Sequence, residues 1–243
     1  MSAHDRVTPA HSVVITLAVL CAIAYSTWVI LPRIDPELSV ITAFVSEYAA
    51  DGRPGAGLMR TGDAIAGAFM VAIAVLVAAP GPRWVRLTLS GGLMLAGAAT
   101  IGDAMLPMEC TPSLDAACAA AEKNSTVGLA HQLHSVTSSL VGIGVAAAVS
   151  ASIIIWRRGP IAVSLAAGVL LSLALSAFNG VAGEPLALGI VQRISLAMVS
   201  LWLVVFTITP QTGEHRLQTE RRSSAADADP ADSARQPEPA ALS

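Results

Sequence analysis

Two short stretches carry the residue types that do chemistry: "GDAMLPMEC", with Asp103 and Cys110, and "HQLHS", with His131 and His134. Histidines at i and i+3 share one helical face, which Ser138 and Gly142 continue. With Asp103 they form a set that could ligate a divalent metal such as Zn2+, with Glu47 or Glu184 as a fourth ligand or general base. A metal held there would activate water against a lipid or ester at headgroup depth. A second chemistry needs no metal. Asp103, His134 and Arg193 could form a substrate or proton site, with Arg60 and Glu184 as further ligand-binding candidates. The third role is structural: Asp103 and Arg193 could pair across two helices and fix their register. A serine nucleophile is disfavoured, because the Gly-x-Ser-x-Gly elbow is absent.

The elements that must position these residues are membrane-spanning helices. The chain has 243 residues, of which 54% are hydrophobic and 13% charged, whereas soluble domains average about 25% charged. Mean hydropathy is +0.65. Six apolar segments, at about 11–31, 63–79, 84–106, 127–156, 161–178 and 188–209, each approach the ~20 residues needed to cross a bilayer. The fold class expected is all-α, a polytopic integral membrane protein with six helices in one bundle. The first segment lacks a small-x-small cleavage site and is expected to be retained as a span. Nine of the fourteen basic residues fall on the side of the N-terminus, the two short turns "PGPRWVR" and "WRRGP", and the tail. The positive-inside rule then places both termini (residues 1–10 and 210–243) in the cytoplasm of a bacterial cell, in its inner membrane. Loops 32–62, 107–126 and 179–187 face outward, and the "ITAFVSEY" part of the first is expected to lie on the membrane surface as a short amphipathic helix. The tail is rich in Ala, Asp, Pro and Ser, without apolar periodicity, and is expected to be disordered. A net charge of −3 with no basic stripe excludes a nucleic-acid partner.

Outward topology gives the cysteines a reading. Cys110 and Cys118 flank the turn of "CTPSLDAAC" in an oxidising compartment, so a disulfide is expected between them. Their spacing matches no common zinc knuckle. Cys21 lies within the first span and reads as a small buried hydrophobe.

The stretches "SEYAADGRPGAGLMRTGDAIAG", "GDAMLPMEC", "HQLHS" and "NGVAGEPLALGIVQRIS" together resemble Domain of Unknown Function 998, over about residues 12–209. That family groups six-pass membrane proteins of bacteria and archaea. The resemblance implies the topology and implies no activity, and "SEY" here departs from a Ser-Glu-Leu type motif. A looser similarity is to alkaline-ceramidase-like membrane hydrolases, which also gather Ser, Asp and His near helix ends. This chain lacks their third histidine and their HxxxH spacing.

The role expected first is an envelope scaffold, sensor or accessory protein, with membrane lipids and an envelope protein as partners and no cofactor. The alternatives are a metal-dependent lipid or ester hydrolase and a transporter or binding protein for a small molecule or lipid.

Overall fold

The computed structural model describes residues 9–155, 159–181 and 187–209, and all its regular elements are helical. In chain order they are α1 (Pro9–Ala24), α2 (Leu31–Ile34), α3 (Ala56–Leu76), α4 (Arg83–Met105), α5 (Ala116–Lys123), α6 (Leu129–Ile155), α7 (Pro160–Val181) and α8 (Leu188–Ile208). Among the described residues six helical segments are long and apolar enough to cross a membrane, the first running from Ala10 to Ile34 through α1 and α2. The chain is therefore an integral membrane protein with several spans. Residues 1–8 and 210–243, the "WRR" turn and Glu184 lie outside the described residues, and so do the expectations for them.

The spanning helices pair α1–α3, α3–α4, α4–α6, α6–α7, α7–α8 and α8–α1. That order closes a ring. Small residues set the closest approaches, as packing within lipid requires. A Cβ on Gly92 of α4 would stand 2.6 Å from the Gly144 carbonyl oxygen of α6, and one on Gly144 would meet the Gly92 carbonyl oxygen at the same distance. Only glycine at both positions lets these backbones touch. Gly92, Ala96 and Ala99 form a buried stripe of small residues along α4.

One end of the ring carries the loops and the disulfide, and the other is filled. Val14, Ile73, Leu89, Val149, Val169 and Phe206, one from each spanning helix, are packed in a single core there. Trp202 of α8 stacks on Phe206 with ring centroids 5.8 Å apart. Its indole N–H donates to the Ser152 hydroxyl of α6 at 3.1 Å, joining two helices that are not neighbours in the ring.

The second span begins earlier than the sequence suggests. Residues 56–62 were expected in a loop because "RPGAGLMRTG" is rich in glycine, yet they form the first two turns of α3. Packing overrides propensity at Gly62, where a Cβ would meet the Thr27 side chain at 2.6 Å and the Ala24 carbonyl oxygen at 2.8 Å. The surface helix expected over "ITAFVSEY" is also absent. Turns lead instead into a 3₁₀ helix, Val45–Ala49, with Val45, Glu47, Tyr48 and Ala49 buried. Loop 107–126 contains a helix that patterning did not show, α5, capped by the Asp115 carboxylate on the Ala117 N–H at 2.8 Å.

Candidate ligand cavity

The ring holds a partly open cavity of about 870 Å³ near the disulfide end, and each of the six spans lines it. Its polar groups cluster toward that end: Asp63 of α3, Thr100 and Asp103 of α4, and His134 and Ser138 of α6. Val145, Leu170 and Val199 form the wall deeper in the bundle. The 3₁₀ segment and Met108 cover the top.

Asp103 stands two residues before the end of α4 and faces α6. One carboxylate oxygen accepts from the Thr137 hydroxyl, the other from the Ser138 hydroxyl at 2.9 Å. Its nearest titratable neighbour is His134, with Nδ1 3.6 Å from Oδ1. His134 Nδ1 lies 3.0 Å from the Leu106 carbonyl oxygen. A carbonyl only accepts, so the proton sits on Nδ1, and in neutral imidazole Nε2 is then an acceptor. His134 is 5% exposed, and its Nε2 is buried with no hydrogen-bond partner. Asp63 presents a second such atom, since its Oδ1 is also buried without a partner.

The cap over this end is held by side chains that the sequence had offered as functional candidates. Arg193, buried in α8, donates from one terminal nitrogen to the carbonyl oxygens of Val40, Ala43 and Gly189 at 3.0, 3.1 and 2.9 Å. Its guanidinium also lies over the Tyr48 ring, 5.8 Å from the centroid. Burial raises the Tyr48 phenol above its ordinary pKa, with the Arg193 charge acting against that shift. Gln192 accepts from the Val45 N–H at 2.6 Å, and the Gly189 N–H donates to the Ile41 carbonyl at 2.9 Å. Glu47 accepts from the Phe44 N–H at 2.8 Å and from both the N–H and the hydroxyl of Ser113, at 2.9 and 2.6 Å. Arg60 donates to the Ala49 carbonyl at 2.8 Å and to Asp51 at 2.6 Å. Arg53 forks onto the buried Asp35 carboxylate and reaches Glu37 at 3.1 Å. The Asp35 hydrogen bonds hold the Arg53 pKa above its usual value.

Several expectations change in this light. The Asp103–Arg193 pair does not form: Asp103 is bound to α6 hydroxyls, while Arg193 is bound to loop carbonyls. Nor do Asp103, His131 and His134 converge as metal ligands. His131 is fully buried and turns toward Glu122 of α5, Nε2 to Oε1 3.8 Å. Among the described residues no three His, Cys, Asp or Glu side chains are grouped to hold a metal ion. Glu47 has both carboxylate oxygens bound within the cap, to Phe44 and Ser113. Cys110 and Cys118 do form a disulfide, with Cα atoms 6.0 Å apart. Cys21 is free and buried.

Asp63 is the site residue that sequence reasoning missed as such. It was placed at the very start of the second span with no role, yet the helix begins two turns earlier and the spacing Met59, Asp63, Ala66, Met70 puts it on an inward-facing stripe of α3. The Glu47–Ser113 and Arg53–Asp35 contacts had no local signal, because each joins residues brought together only by the fold.

A closed ring of spanning helices around a cavity with carboxyl groups and a histidine at one end defines a polytopic helical membrane protein with an internal cavity. The chain belongs to the family described as Protein of unknown function (DUF998), matched over residues 18–209. No curated protein and no solved structure matches it.

Proposed function

We propose that this protein binds a single-tailed amphiphile inside its helix ring, with the polar head at the disulfide end and the tail among the apolar side chains below. The observation that carries this reading is the division of the cavity, with Asp63, Asp103 and His134 at one end and Val145, Leu170 and Val199 beyond. Its size of about 870 Å³ falls within the roughly 300–1,000 Å³ of small-molecule sites. A scaffold role drew its support from an Asp103–Arg193 pair, and a zinc hydrolase from a three-residue ligand set. Neither arrangement is present, whereas the cavity suits a binding or transport role.

The arginine distribution supports an orientation with both termini cytoplasmic and the polar head end outward, in a bacterial inner membrane. The disulfide at that end suits an oxidising compartment. The protein would then take its ligand from the outer leaflet or the space beyond it. Purification in a mild detergent, followed by native mass spectrometry, tests the binding role. A single adduct of amphiphile mass per chain is expected. A bare chain that takes up no added amphiphile would contradict the proposal.

A further inference from the structure

The charge of the lining identifies the head. Its acids are Asp63, Asp103 and Glu122, and neither lysine nor arginine is among the lining residues. Asp103 receives only neutral hydroxyl donors, from Thr137 and Ser138. The Nδ1–H of His134 is committed to the Leu106 carbonyl, and Arg193, which does not line the cavity, binds the cap carbonyls through one terminal nitrogen. Glu122 has His131 beside it. Among the described lining residues no lysine or arginine answers the two aspartates, and the titratable nitrogen near Asp103 is His134 Nδ1 at 3.6 Å. Two acceptor atoms are left over, Oδ1 of Asp63 and Nε2 of His134, both buried without partners, the second on a side chain 5% exposed. Buried acceptors without donors are costly, and a half-buried carboxyl without a counter-charge either takes up a proton or draws in a cation.

We infer that the polar end of the cavity is an ammonium site, in which a protonated amine head donates N–H bonds to Asp63, Asp103 and Nε2 of His134. This rests on the amphiphile reading and names its head. An anionic head would meet two carboxylates and find no basic side chain. A hydroxyl head could donate a single hydrogen bond, leaving one acceptor empty and supplying no charge to hold either carboxylate ionised. An ammonium has up to three donors and a full positive charge. It fits both deficits.

The test uses the whole protein in nanodiscs of uncharged lipid, titrated with dodecylamine, dodecanol and dodecanoate, with occupancy read by native mass spectrometry. Dodecylamine is expected to bind about tenfold or more tightly than either of the others, the scale of one charge-assisted hydrogen bond. Asp63→Asn and Asp103→Asn, which keep side-chain size, should each erase that preference while dodecanol still binds. Equal binding of the three heads, or preference for dodecanoate, overturns the ammonium site and leaves the amphiphile cavity standing. Ethylamine displacing dodecylamine at equal concentration would keep the cation site and remove the amphiphile reading. Uptake of none of the four removes both. If an Asn variant fails to fold, the ranking of heads on the unaltered protein decides the matter.

Discussion

Glu47 and Ser113 are 66 residues apart in sequence and are joined by two hydrogen bonds, the Ser113 N–H and hydroxyl both donating to one carboxylate oxygen of Glu47. This contact links the cap over the cavity to the disulfide loop. Both partners sit on segments without long regular structure, so the contact fixes what helix packing does not.

Replacing Glu47 by Ala removes three acceptor contacts and leaves the Phe44 and Ser113 N–H groups unanswered. Hydrogen bonds to a charged group contribute about 1.5–3 kcal/mol each, so a total loss on the order of 3 kcal/mol is expected after relaxation. Thermal unfolding in detergent and limited proteolysis of residues 35–55 report it. Unchanged stability with lost ligand binding would mean that Glu47 belongs to the site and not to the cap.

Asp103 and Arg193 are predicted to be energetically independent. Asp103→Asn weakens the contact between α4 and α6, and Arg193→Met releases the cap from α8. The double mutant should show the sum of the two losses to within about 0.5 kcal/mol, as for sites with no shared partner. Recovery of stability in the double mutant would reveal a pairing that these contacts exclude.

The Cys110–Cys118 bond closes a short loop around the start of α5. Closing a loop of that length stabilises by roughly 2–3 kcal/mol through the unfolded chain. Alkylation without reductant should label only Cys21, and slowly, because its thiol is buried and donates to the Ala66 carbonyl at 3.4 Å. Reduction should lower the melting temperature without emptying the cavity. Fast labelling of Cys118 in the unreduced protein would show that the bond does not form.

The spans were legible because bilayer thickness sets a length that hydropathy alone reports. The first turns of α3 were hidden by glycines, of which Gly62 packs against Ala24 and Thr27 of the first span, a contact visible only once that span is in place. The disulfide was legible from spacing and topology together. Asp103 and His134 stood out as polar residues in apolar surroundings, and both line the cavity. Their partners were not legible: Arg193 looked like the natural counter-charge for Asp103. The cap carbonyls that hold it, and the α6 hydroxyls that hold Asp103, are contacts of tertiary structure alone.

If the cavity is the ligand site, Gly142 offers the most direct measurement of it. It lines the cavity, and a Cβ placed there meets nothing within 4 Å. Gly142→Leu therefore fills space that ligand would occupy. It should also stabilise α6 by up to about 1 kcal/mol through helix propensity. Amphiphile uptake by the wild type and by Gly142→Leu is measured side by side, with the melting temperature of each. The account predicts a variant that is as stable as the wild type or more so, and that takes up no amphiphile. A stable variant that binds as well as the wild type would contradict it.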